Sequence, residues 1–184
     1  SAAQLKGLVE KGVLNTEKRA VNRIKQLPRE INTGAALSVL QQAALDQVRQ
    51  VFEQKNVCLL HGVTSSGKTL IYIRLMEETL KKGQQVLYML PEIGLTAQVI
   101  RRLQQNFGGY IVIYHSKFNP NERIELWNKV KNGEARIVLG ARSALFLPFK
   151  ELGLVICDEE HDTSFKQQDP APRYNARDAA IYLA

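Results

Sequence analysis

Apolar positions along most of the chain switch between two periods. From Leu37 onward, Leu40, Ala44, Val48 and Val51 share one face of a helix predicted from about Ser38 to Gln54. The unbroken apolar run Val57-Cys58-Leu59-Leu60 follows and reads as a buried strand. A helix then runs to Lys82 and is closed by Gly83, followed by a strand from Gln85 to Met89. The next helix spans Leu95 to Phe107, with Gly108 as its stop, and leads to a strand from Tyr110 to Ile113. Asn119-Pro120-Asn121-Glu122 combines a capping box with proline at the first helical position, and Gly133 ends that helix. Strands Ile137–Leu139 and Leu154–Cys157 complete the series. Apolar strands separated by helices predict an α/β fold, a parallel sheet covered on both faces, with ligands expected at the carboxyl ends of the strands.

The first part of the chain is different. Leu5, Leu8 and Val9 have helical spacing up to Lys11, Gly12 ends that helix, and Val13-Leu14 and Arg19–Ile24 read as short extended pieces. A helix followed by a two-stranded ribbon suits the tail of a winged-helix DNA-binding module over residues 1–27; a basic helical hairpin suits the same pattern. Pro28, Asn32, Thr33 and Gly34 mark 28–36 as a linker to the main domain, residues 37–184. The chain opens Ser1-Ala2-Ala3 without an initiator Met and stops inside the helical pattern Asp178–Leu183, so a piece of a longer protein is expected.

Charge adds one feature. There are 25 Lys and Arg against 18 Asp and Glu, a net charge of +7 that favours a polyanionic partner. Residues 1–30 hold seven of the cations and three of the acids, hence +4 of that total. Cys58 and Cys157 each lie in an apolar run and read as reduced core residues, not as a disulfide or a zinc site. Neither a membrane span nor a signal peptide is apparent, so a cytoplasmic protein without a membrane partner is expected.

The strongest motif is Gly62-Val63-Thr64-Ser65-Ser66-Gly67-Lys68-Thr69, which matches G-x-x-x-x-G-K-[ST] between a predicted strand and a helix. In such a P-loop the glycines let successive N–H groups point at phosphate oxygens and the helix N-terminus adds positive potential. Lys68 reaches the terminal phosphates, and the Thr69 hydroxyl ligates Mg²⁺. Leu154-Val155-Ile156-Cys157 then ends in Asp158-Glu159-Glu160-His161. Asp158 would hold Mg²⁺ through its water shell and Glu159 would polarise the attacking water, which makes Lys68, Asp158 and Glu159 the candidate catalytic set for ATP hydrolysis.

These motifs resemble the DExH-type superfamily-two helicases. The segments Leu60–Thr64, Leu90–Gln98, Gly140–Phe149, Asp158–Gln167 and Arg173–Asp178 sharpen the resemblance to the bacterial replication-restart branch, the primosomal protein N′ or PriA family. The resemblance covers nearly all of 37–184 and implies a RecA-like P-loop NTPase lobe, the first of two. The activity implied is ATP-dependent, 3′-to-5′ DNA unwinding in replication restart and primosome assembly, in the bacterial cytoplasm. A double-strand translocase or nucleotide-dependent switch that does not separate strands is the alternative.

By this resemblance Gln41 reads adenine, although a surface glutamine fits its spacing equally. Gly94, Thr96 and Gln98 touch the DNA backbone, as do Arg142 and Ser143, although both segments also suit ordinary connections. Phe165, Lys166, Arg173 and Tyr174 lie in an aromatic-rich loop where rings stack on unpaired bases and cations hold phosphates. His161 couples the two activities. Ser65 departs from the family, which often has glycine there. The transition-state arginine is expected from the second lobe, so this piece alone should bind nucleotide weakly and hydrolyse it poorly. Zinc is expected in the longer protein but outside this chain. Forked or single-stranded DNA, single-strand binding protein and primosome proteins are the implied partners.

Overall fold

The computed structural model describes residues 2–15, 28, 31–32, 35–63, 66–115 and 118–184. The helices are α1 (Ala2–Glu10), α2 (Val39–Phe52), α3 (Lys68–Lys81), α4 (Ala97–Phe107), α5 (Pro120–Lys131) and α6 (Ala176–Leu183). The strands are β1 (Gln85–Met89), β2 (Ile111–Tyr114), β3 (Ile137–Gly140) and β4 (Leu152–Cys157), joined in the order β2-β3-β1-β4 with every pairing parallel.

Strand periodicity decides which helix covers which face. On β1, Val86 and Tyr88 join α3 and α4 in one core with Ile73, Met76, Leu103 and Phe107. Leu87 and Met89 point the other way, into a core with Leu126 and Val130 of α5 and Ala176 and Ala180 of α6. Full burial of the central strands β1 and β3 explains why they read as continuous apolar runs. α2 lies outside this sandwich and packs Leu45 and Val48 against Ile71 and Leu75 of α3. The buried Gln85 is fully used: its amide donates to the carbonyls of Val130 and Ala135, at 3.0 and 2.7 Å, and its oxygen accepts the Lys150 amide at 2.8 Å.

Two expectations need correction. Val57–Leu60 joins no ladder, which leaves β4 as one edge of the sheet among the described residues. Only alternate residues turn inward: Cys58 and Leu60 pack beside Leu154, whereas Leu59 is 73% exposed. An apolar run reports the wish to be buried, not the presence of a hydrogen-bonding neighbour. Val13-Leu14 forms no strand either. Gly12, at φ 69°, lets both amides turn back to the Leu8 carbonyl, at 3.0 and 3.3 Å, and these bonds close α1. The predicted strand at Arg19–Ile24 lies outside the described residues.

The described parts of 28–36 are tied down. Pro28 accepts from the Gly109 amide at 2.8 Å, Asn32 donates to the Asn106 carbonyl at 2.8 Å, and Ala35 accepts from Arg74 at 3.1 Å.

Candidate nucleotide site at the carboxyl edge of the sheet

Four of the helices have a side-chain cap at the N-terminus: Ser38 for α2, Thr96 for α4, Asn119 for α5 and Asn175 for α6. The N-terminus of α3 has none. Its N-cap is Gly67 in the left-handed region, φ 85°, and no side chain accepts from its first amides. A Cβ at this position would overlap Gln41 Nε2, so glycine is required both for the backbone turn and for the neighbour. The start of α3 therefore presents open donors and positive potential at the carboxyl edge of the sheet.

A cleft of about 520 Å³ opens there. It is lined by Ser66, Gly67, Lys68 and Thr69, by Asp158 and Glu159, and by Gln98, Val99 and Arg102 of α4. Lys68 Nζ donates to the carbonyls of Gly62 and Val63, at 2.6 and 3.2 Å, so the ammonium is held by its own loop. Thr64 and Ser65 lie outside the described residues. Thr69 is half-buried in the first turn of α3.

The Asp158 amide donates to the Met89 carbonyl at 3.0 Å, which fixes the acidic turn to the end of β1. Its carboxylate accepts from Tyr88 Oη at 2.7 Å, from Tyr72 Oη at 3.4 Å and from the Glu159 amide at 3.1 Å. Burial first, and then the Asp158 charge, push both tyrosine hydroxyls far above their usual range, so they stay protonated and donate to the carboxylate. Glu159 is exposed and has φ 52°, the left-handed region that a β-carbon disfavours. His161 Nε2 is 3.7 Å from its carboxylate. Glu160 points elsewhere, to Arg177 at 2.8 Å. Burial raises the Cys157 thiol to about 11, so it stays neutral beside the motif.

This donor set fits a magnesium nucleotide: open amides at a helix start, one ammonium, one hydroxyl and two carboxylates around one cleft. Gln41 adjoins it, with Nε2 3.5 Å from the Gly67 carbonyl and Oε1 accepting the Ser38 amide at 2.9 Å in a capping box.

The residues expected at DNA are distributed unevenly. Gln98 lines the cleft described above together with Lys68. Gly94 ends a 3₁₀ turn whose bonds engage its amide with Pro91, at 2.7 Å, and the Thr96 amide with Gly94, at 2.8 Å. Those two amides are therefore not the open donors that a loop-to-helix junction suggests. Arg142 spans to the Ser164 carbonyl at 2.9 Å, while Ser143 is exposed. Phe165 is 1% exposed within the core, so its ring offers no face to a base. Apolar contact with α6 and the adjoining turn outweighs the exposure its polar loop suggests. Lys166 and Arg173 are exposed, and Tyr174 stacks edge-on against Phe146 with ring centroids 4.9 Å apart. Phe146 is 57% exposed. Sequence reasoning missed Phe146, Arg102, Tyr72 and Tyr88, since nothing in their local spacing marks them.

A parallel sheet whose carboxyl edge unites a glycine-lysine turn with an acidic strand end defines a P-loop nucleotide-binding lobe. The chain belongs to the DEAD/DEAH box helicase family, which it matches over residues 38–179. Family membership implies use of a nucleotide with Mg²⁺. Among its relatives are the Replication restart protein PriA of Bacillus subtilis (strain 168), 39% identical over 188 residues, and that of Haemophilus influenzae, 44% identical over 186 residues. Each alignment covers 100% of this chain but only 23% and 25% of the relative. The Synechocystis protein of the same name is 42% identical over 182 residues, covering 98% of this chain and 22% of its own length. The chain thus spans about a quarter of the length of the curated relatives it matches. Among the described residues, no helix is long and apolar enough to cross a membrane.

Proposed function

We propose that this chain is the ATP-binding first lobe of a DNA helicase that acts in replication restart in the bacterial cytoplasm. The observation that carries the reading is the meeting of Lys68 with Asp158 and Glu159 around one cleft at the uncapped start of α3. In this reading Gly62 to Thr69 wrap the phosphates and Lys68 leaves its loop carbonyls for the terminal phosphates. Gln41 lies against the base, and Glu159 orients the attacking water and takes its proton. Thr69 and Asp158 would hold Mg²⁺, which supplies neutralisation of phosphate charge when bound. The strand that unwinding separates is contacted by Ser143, Lys166 and Arg173, with Tyr174 and Phe146 as the aromatic surface. His161 beside Glu159, and Arg142 bridging to the Ser164 carbonyl, link that surface to the cleft. Residues 1–27 add a basic, winged-helix DNA contact.

The names of the relatives and the net charge of +7 support DNA as partner. The second lobe, single-strand binding protein, primosome proteins and a zinc site belong to the longer protein in this reading. The test is ATP hydrolysis and strand displacement on forked DNA by the intact protein, wild type against Glu159→Gln. DNA-stimulated hydrolysis with displacement, both lost in the variant, is the expected result. Hydrolysis with translocation but no displacement would replace the helicase with a duplex translocase.

A further inference from the structure

Asp158, which lines the cleft, is held by two buried tyrosines that belong to neither motif. Tyr72 stands one turn past Lys68 on α3, and Tyr88 is on β1, 1% exposed. Their rings meet edge-to-face, centroids 5.8 Å apart at 70°, and both hydroxyls turn to the same carboxylate. Tyr88 donates to Asp158 Oδ2 at 2.7 Å; Tyr72 donates to Oδ1 at 3.4 Å, where the Glu159 amide also donates at 3.1 Å. A carboxylate has about four acceptor sites, so this arrangement leaves one in the main, on Oδ2.

Packing alone does not require this. Phenylalanine would fill the same space at either position, and a buried hydroxyl is costly unless it has a partner. Here two hydroxyls, brought from a helix and a strand, find that partner in the same acidic side chain. Burial strengthens both bonds and restricts rotation of the carboxylate.

We propose that Tyr72 and Tyr88 are positioning residues that clamp Asp158, so that its remaining acceptor site is presented to the water shell of nucleotide-bound Mg²⁺. The inference rests on the nucleotide reading above and adds to it a pair of residues outside the motifs. Outer-shell partners of a bound metal commonly matter about tenfold or more to metal affinity.

The experiment measures binding, not turnover. In the intact protein, fluorescent N-methylanthraniloyl-ADP is titrated in EDTA and then across a Mg²⁺ series, for wild type, Tyr88→Phe, Tyr72→Phe and Lys68→Ala. Tyr88→Phe is expected to leave the metal-free affinity within about twofold of wild type. It should raise the Mg²⁺ concentration needed for half-maximal tightening by about tenfold. Tyr72→Phe, which loses the longer bond, should give a smaller rise. An unchanged Mg²⁺ midpoint in both tyrosine variants, whatever happens to their melting temperatures, would reduce the pair to packing and overturn the inference. Lys68→Ala separates the two failures. If it loses ADP while the tyrosine variants keep the wild-type midpoint, only the clamp is wrong. If it binds ADP as wild type does, the nucleotide site and the clamp fall together.

Discussion

Lys68 donates to the carbonyl oxygen of Gly62 at 2.6 Å, and so the side chain expected to reach phosphate closes its own loop instead. The bond is local, six residues apart, and links no two elements of the sheet. Lys68 therefore matters little to the fold and greatly to whatever anion replaces that carbonyl.

Gly67 is the position where the loop tolerates least. Its φ of 85° costs an L-residue about 1–2 kcal/mol, and a methyl group would also meet the Gln41 amide. Gly67→Ala should lower unfolding free energy by at least that amount in urea titrations. Adding Gln41→Ala should recover the steric part and leave the backbone part. No recovery would show that Gln41 is not the obstruction.

Glu159 separates strain from chemistry. Its φ of 52° holds a side-chain-bearing residue where glycine is at ease. Glu159→Gly should be as stable as wild type or up to about 1 kcal/mol more stable, yet should not hydrolyse ATP. Glu159→Gln should keep the strain and the nucleotide while losing turnover. A glycine variant less stable than wild type would contradict the strain argument.

Phe165 and Phe146 should behave oppositely. Phe165→Ala removes a ring that is 1% exposed and should cost about 3–5 kcal/mol of stability. Phe146→Ala removes one that is 57% exposed and should leave stability nearly unchanged while weakening single-strand DNA binding by about 1–3 kcal/mol. Fluorescence anisotropy with a labelled oligonucleotide reads the second effect, and unaltered affinity would take Phe146 out of the DNA surface.

How legible the molecule is in its sequence depends on the range of the interaction. β1 to β4 are recoverable from apolar runs because both faces of the sheet are covered, and the Asn119 capping box is recoverable because its partners are three residues apart. Phosphate loop and acidic motif are readable for the same reason: each is a short local pattern. Val57–Leu60 has the composition of a strand but lacks a ladder, and composition contains nothing about the neighbour. Tyr72 and Tyr88 lie 86 and 70 residues from Asp158, so only the folded chain brings them to it. Phe165 reads as a loop aromatic because the core that buries it is assembled from residues distant in the chain, such as Leu87 and Met89.

Arg102 is a further residue that only folding exposes as relevant. It lines the same cleft as the phosphate loop and forms no ion pair among the described residues. Arg102→Ala should weaken nucleotide binding by about 1.5–3 kcal/mol, the range for a charge-assisted hydrogen bond, and Arg102→Lys should retain part of it. Equal affinities across the three proteins would remove Arg102 from the site.

The most direct test is calorimetric titration of Mg²⁺-ATP into the intact protein and its Lys68→Ala variant, with circular dichroism recorded on both. The account predicts saturable binding by wild type, none measurable by the variant, and superimposable spectra. Binding of equal strength in both proteins would contradict it.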